Sequence, residues 1–203
     1  MIDQDEPHYY YWKHEIPPDI CDAIVAIGEG LKMEAGGLEV EGFQDLNMRD
    51  SKVSWIGDRW ITTMLHSYVS LANKEMWNYD LFPDQELEKC QYTTYDRNGH
   101  YDWHADTINI PNIPLKDEEK DDLSSGRVIR KLSVTLQLSD NTQYGGGDFE
   151  MISTNGKPVR MDDKCKSKGT LFVFPSYLMH RVTPVTTGIR RSLVNWYVGP
   201  PFR

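Results

Sequence analysis

The stretch "RKLSVTLQLSD", residues 130–140, alternates without interruption. Leu132, Val134, Leu136 and Leu138 fall on one face, and Ser133, Thr135 and Gln137 on the other. Successive side chains of a strand point to opposite sides, so a period of two predicts a β-strand with one apolar face. The same texture continues in both directions. "LEKCQYTTYD" (87–96) precedes it, with a turn at "DRNGH". "YGGGDFEMI" (144–152), "GTLFVFPS" (169–176) and "IRRSLVNWYVG" (189–199) follow. Many short strands separated by turn residues predict a barrel or sandwich.

The front of the chain reads differently. "PPDICDAIVAIGEGLK" (17–32) predicts a helix opened by Pro17 and Pro18 and capped by Asp19, with Ile20, Ala23, Ile24 and Ile27 at helical spacing. "DRWITTMLHSYVSLANKEMW" (58–77) predicts a longer amphipathic helix, with Trp60, Met64, Tyr68, Leu71 and Met76 along one side. His66 in that helix reads as an ordinary half-buried residue. The expected architecture is α+β but mainly β, with helices packed on the outside of an all-β core. We expect a single domain over 1–203, with a helical support region at 1–80 and the β core at 81–203. Residues 108–128, "INIPNIPLKDEEKDDLSSGRV", show no clear period. They read as a solvated charged loop, or as a lid over whatever lies just before them.

Composition narrows the setting. The 203 residues carry a net charge of -9, with 39% hydrophobic and 11% aromatic content. That suits a globular protein and argues against a dedicated nucleic-acid or anionic-membrane binder, which needs a basic face. Cys21, Cys90 and Cys165 match neither a zinc spacing nor a disulfide framework, which points to a reducing, cytoplasmic setting. The polar, acidic N-terminus does not read as a signal peptide. No apolar run approaches the roughly 20 residues that span a bilayer.

The candidate chemistry starts at "YDWHADT", residues 101–107. In an extended segment His104 and Asp106 project to the same side, where both can reach one divalent ion. The pair alone is weak, because a His-x-Asp arises often by chance. Downstream, "FVFPSYLMHRVTPVTTGIRRSLVNW" (172–196) places His180 after an apolar strand and Arg190 ten residues later. Arg190, Ser192, Val194 and Trp196 share one face of that strand. A buried arginine needs an anion, and its planar fork suits a carboxylate. Two histidines and one carboxylate form the facial ligand set of non-haem iron(II) oxygenases.

At this point the chain resembles the iron(II)- and 2-oxoglutarate-dependent dioxygenases, within the prolyl 4-hydroxylase-like group that includes the PKHD-type hydroxylases. The resemblance rests on "QYTTYDRNGHYDWHAD", "RKLSVTLQLSD" with "YGGGDFE", and "GTLFVFPSYLMHRVTPVTTGIRRSLVNWYVG", in that order. It implies a double-stranded β-helix, a jelly-roll or cupin-like core with a metal at its open end. By position, His104, Asp106 and His180 match the metal ligands. Arg190 matches the group that pairs with the far carboxylate of 2-oxoglutarate, Tyr95 matches a tyrosine that hydrogen-bonds it, and Ser192 assists. Tyr101, Arg130 and Trp196 match positions that contact peptide. The implied cofactors are Fe(II), 2-oxoglutarate and O2, with ascorbate as reductant, and the implied partner is a proline-containing peptide or protein. The long acidic insert departs from the pattern, and by charge it favours a basic or neutral peptide. A free amino acid or small metabolite is the alternative substrate. A non-catalytic cupin-like metal-binding module and a zinc hydrolase are readings from other classes.

Overall fold

The computed structural model describes residues 9–36, 46–82, 88–107, 109–111, 127–161 and 166–202. In chain order its elements are β1 (Tyr10–Trp12), α1 (Pro18–Gly30), β2 (Glu34–Ala35), β3 (Arg49–Asp50), β4 (Lys52–Ile56), α2 (Arg59–Met76), β5 (Cys90–Tyr95), β6 (His100–His104) and β7 (Asn109–Pro111). The remainder are β8 (Arg127–Gln137), β9 (Tyr144–Gly146), β10 (Phe149–Ile152), β11 (Pro158–Arg160), β12 (Leu171–Pro175), β13 (His180–Val182), β14 (Val185–Gly188) and β15 (Arg190–Gly199).

Two antiparallel sheets carry the fold. The larger runs β1-β12-β8-β15-β5-β4-β2, with β7 also on β8, and the smaller runs β11-β10-β13-β6-β3. The opening stretch is the central strand β8, between β12 and β15. Its alternation divides two cores. Leu132, Val134, Leu136 and Leu138 join Leu193, Tyr197, Ile61, Leu65 and Ile24 in a cluster under the helices. Phe172 and Phe174 of β12 instead meet Phe149, Met151 and Val182 of the smaller sheet. The molecule is therefore layered as helices, large sheet and small sheet. The polar face of β8 points into the space between the sheets, where the small hydroxyls and amide leave room for a site.

This is the mainly β, antiparallel jelly-roll arrangement with external helices. The helices themselves differ in detail from the sequence reading. The buried stripe of α2 is Ile61, Leu65, Val69 and Ala72. Trp60, Leu71 and Met76 are exposed, and only Met64 and Tyr68 pack partly against the core. The apolar residues of this helix cover more than one face, and contact with β8 selects the narrower stripe of aliphatic side chains. In α1, Cys21, Ile24 and Gly28 are buried while Ala23 is exposed. Gly28 is there for close approach: a Cβ would lie 2.4 Å from the Tyr92 ring. Asp19 does not cap this helix. Pro17 occupies the cap position, and no side chain bonds the first turn. The front of the chain also contributes strands β1 to β4 to the two sheets, which the helical reading of residues 1–80 did not include. Within 108–128, residues 109–111 form a strand on β8 and Arg127 already begins β8. Residues 112–126, where a lid or charged loop was expected, lie outside the described residues, as does Cys165. No helix among the described residues is long and apolar enough to cross a membrane.

Candidate metal centre and cosubstrate pocket

His104 ends β6 and His180 begins β13, and the two strands pair with these residues opposite each other. Sheet register thus brings together two histidines 76 positions apart in sequence. Asp106 lies beyond the end of β6. Its backbone N–H donates to Ser176 O at 2.8 Å, which turns the chain so that the carboxylate faces both rings. Asp106 Oδ1 is 3.6 Å from His104 Nε2, and Oδ2 is 3.5 Å from His180 Nε2. All three donor atoms lie within 4.8 Å of one another.

The hydrogen bonds behind these groups fix which atoms face the centre. His104 Nδ1 is 2.8 Å from Asp102 O, and His180 Nδ1 is 2.8 Å from Leu178 O. A carbonyl only accepts, so each Nδ1 carries the proton and each Nε2 presents a lone pair. Ser133 Oγ donates to Asp106 Oδ2 at 2.8 Å and lies 2.9 Å from Ser176 Oγ. Tyr101 stacks on the His104 ring at 3.5 Å between centroids and 13° between planes. Burial, and then the neighbouring His180, lower the His104 pKa to about 4, so the ring is neutral at pH 7. Burial pushes Asp106 toward the neutral acid, but His180, His104 and the Ser133 bond outweigh it and hold the carboxyl below its usual range. Neutral imidazoles and an ionised carboxylate are the forms that bind a metal.

Arg190 opens β15 opposite Tyr95 of β5. It is 4% exposed, and among the described residues no carboxylate pairs with it. Its Nη1 lies 3.3 Å from Ser192 Oγ and its guanidinium carbon 5.4 Å from the centre of the Tyr95 ring. Gln137, across from Ser192 on β8, donates to Tyr144 Oη at 3.0 Å and to Ser139 O at 3.2 Å. Gly147 closes this end. Its φ is +59°, and a Cβ there would come within 3.1 Å of Arg190 Cδ and 3.2 Å of the Tyr144 ring. An unpaired guanidinium among hydroxyls and an amide fits a dicarboxylate, and two imidazoles with one carboxylate fit Fe(II) with open positions.

The other sequence candidates are Arg130, Trp196 and Tyr101. The Arg130 guanidinium covers Trp196 at 3.9 Å and is gripped by Glu88, with Nε donating to Oε1 at 2.9 Å and Nη2 to Oε2. The Trp196 indole N–H has no well-formed hydrogen-bond partner, yet it lies toward Asp106 and favours that carboxylate's charged form. Tyr101 stacks on His104 rather than standing free. Sequence reasoning missed Ser133, Tyr144 and Glu88. Ser133 was visible on the polar face of β8, but nothing in the sequence linked it to Asp106. His66 takes no part in the centre: it stacks on Tyr197 at 5.9 Å beside a separate polar cleft along α2.

The comparisons with known proteins agree with this geometry. The family model described as the 2OG-Fe(II) oxygenase superfamily matches residues 90–198. A PKHD-type hydroxylase from a Synechococcus species is 31% identical over 131 residues, covering 62% of this chain and 50% of that protein. A second, from Teredinibacter turnerae, is 33% identical over 113 residues, covering 55% of this chain and 43% of that protein. The chain therefore spans about half the length of these curated relatives. Among solved structures, a Pseudomonas putida prolyl-4-hydroxylase superposes with a TM-score of 0.65 at 18% identity, over 95% of this chain and 93% of that one. A Trichoplax adhaerens prolyl hydroxylase, solved with a hypoxia inducible factor oxygen degradation domain peptide, gives 0.67 at 19% identity, over 93% and 82%. The structural likenesses show a shared fold. The family model spans more than half of the sequence and includes His104, Asp106, His180 and Arg190, and on that ground the chain belongs to the 2OG-Fe(II) oxygenase superfamily.

Proposed function

We propose that this protein hydroxylates an unactivated C–H bond, with a prolyl residue in a peptide or protein as the leading substrate. Substrate, O2 and 2-oxoglutarate give the alcohol, succinate and CO2. The observation that carries the reading is the His104–Asp106–His180 triad together with the buried Arg190, which has no carboxylate beside it among the described residues. A zinc hydrolase has no use for that arginine, and a non-catalytic module has no use for both.

Each side chain has a definite task in this reading. His104, Asp106 and His180 hold Fe(II), which with 2-oxoglutarate and O2 supplies the oxidising chemistry. The Nδ1–H groups of His104 and His180 donate to the Asp102 and Leu178 carbonyls, which holds both rings in position. Arg190 pairs with the far carboxylate of 2-oxoglutarate, and Tyr95 and Ser192 flank it. Low surrounding dielectric strengthens that pairing. Tyr101 and Trp196 with Arg130 would exclude water from the reacting atoms and line the substrate's path. Ascorbate serves as external reductant, and the setting is cytoplasmic. The proline preference draws support from the relatives: their names are of hydroxylases, and one structural neighbour was solved with a bound peptide.

Incubation with Fe(II), ascorbate, 2-oxoglutarate and a panel of proline-containing peptides tests this by mass spectrometry. A gain of one oxygen on proline, with matching succinate, is expected. Succinate release stimulated by free amino acids but by no peptide would move the substrate to small molecules.

A further inference from the structure

Two guanidinium groups near the centre are buried and a third is half-buried, and one of the three lacks an assignment. Arg190 faces the cosubstrate pocket. Arg130 is neutralised by Glu88. Arg49, on β3, is 6% exposed and faces no carboxylate among the described residues. Its Nε donates to Ser51 Oγ at 2.8 Å, while its Nη2 is buried with no hydrogen-bond partner. Gly36 cradles the group from one side: a Cβ there would fall 2.8 Å from Arg49 Nε and 2.3 Å from Ser51 Oγ. Arg49 also lies next to the reaction centre. Its guanidinium carbon is 4.5 Å from the centre of the Tyr101 ring, and that ring is the one stacked on His104.

A buried cation without an anion is costly, because it has left water and regained nothing of equal strength. An orphaned guanidinium nitrogen one aromatic ring away from a metal ligand calls for a partner that arrives from outside. We propose that Arg49 receives a carboxylate of the substrate. This rests on the oxygenase reading and sharpens its substrate class. The carboxylate is either an Asp or Glu side chain of a peptide or the molecule's own carboxylate, and it sits close to the hydroxylated carbon. An extended peptide advances about 3.3–3.6 Å per residue, so an acidic residue within one to three positions of the target spans the Tyr101 ring. The planar fork takes such a group through two parallel hydrogen bonds. A net charge of -9 suggests a basic or neutral substrate; Arg49 reverses that preference locally.

The test measures binding without turnover. Protein loaded with Mn(II) and 2-oxoglutarate is titrated, under nitrogen, into two fluorescein-labelled peptides with a central proline. One carries Glu on either side of it, the other Gln. In a second arm, L-proline and L-prolinamide are compared by quenching of tryptophan fluorescence. Wild type should favour the carboxylate over the amide by about tenfold or more in one arm, and that arm names the source. Arg49→Gln should erase the preference, and Arg49→Lys, which keeps the charge but not the fork, should retain part of it. Absence of discrimination in both arms overturns the proposal, and so does a preference that survives in Arg49→Gln. If Arg49→Gln does not fold, Arg49→Lys decides: an undiminished preference overturns the assignment of the fork. Failed hydroxylation with intact discrimination would count against the oxygenase reading and leave Arg49's role standing.

Discussion

Ser133 Oγ donates a 2.8 Å hydrogen bond to Asp106 Oδ2, so the polar face of the central strand holds the one carboxylate of the triad. The bond leaves Oδ1 free toward the His104 side and fixes the carboxylate's rotation. Ser133→Ala removes it while keeping the strand's packing. Partners of this kind typically contribute 10–100-fold to metal affinity. We expect a loss of that size in Mn(II) or Co(II) binding by calorimetry, with little change in circular dichroism. Unchanged affinity would mean that the Asp106 backbone bond to Ser176 positions the carboxylate by itself.

His180→Ala should abolish iron binding. His180 is 5% exposed and sits opposite His104 across two paired strands, with no room for another side chain to replace it. Equilibrium dialysis against Fe(II) under nitrogen reads the outcome. Full occupancy in the variant would remove His180 from the ligand set.

Arg190→Ala should raise the 2-oxoglutarate requirement far more than the iron requirement. Leaving a buried carboxylate without its partner typically costs about 2–5 kcal/mol, or 30-fold and upward in apparent affinity. Gly147→Ala should act on the same ligand by another route, because its Cβ would press on Arg190 and Tyr144 from a backbone with φ +59°. Titration of 2-oxoglutarate, followed by succinate release, separates both variants from His180→Ala.

Two histidines on β6 should titrate in opposite directions. Unfolded, each has a pKa near 6.5. Burial, then His180, lowers His104 to about 4 in the metal-free protein. The unfolded chain then binds more protons between those values, so stability falls as pH drops through that window, by at most about 1.4 kcal/mol per unit. For His100, burial is outweighed by two backbone bonds, to Asn98 O at 2.9 Å and Asn47 O at 3.1 Å. Only the imidazolium can donate to both carbonyls, so its pKa is raised. That contribution is present below about pH 6.5 and is lost as pH rises through the raised value. Proton NMR of the histidine ring signals checks both, and a His100 midpoint at or below 6.5 would contradict the two-carbonyl clamp.

How much of this was legible beforehand depends on the kind of signal. The strict alternation of β8 showed a strand with two unlike faces, and the His-x-Asp and distal His marked three residues that the fold brings within 4.8 Å of one another. The apolar stripe of α2 was misread because Trp60, Leu71 and Met76 are as hydrophobic as the residues that are buried. Only contact with the sheet distinguishes them. Arg130 read, by resemblance, as a peptide contact, and Glu88 gave no sign of being its partner, since the two are 42 positions apart.

Local order along the chain determined the strands and their polar and apolar faces, and marked His104, Asp106, His180 and Arg190 as candidates. These follow from side-chain chemistry and a period of two, which need no knowledge of neighbours. Tertiary structure alone decided which face of β8 looks inward, which serine holds Asp106, and that Arg130 meets a carboxylate while Arg49 and Arg190 meet none among the described residues. Each of those depends on long-range sheet register and on the burial of both partners, quantities that no short window of sequence contains.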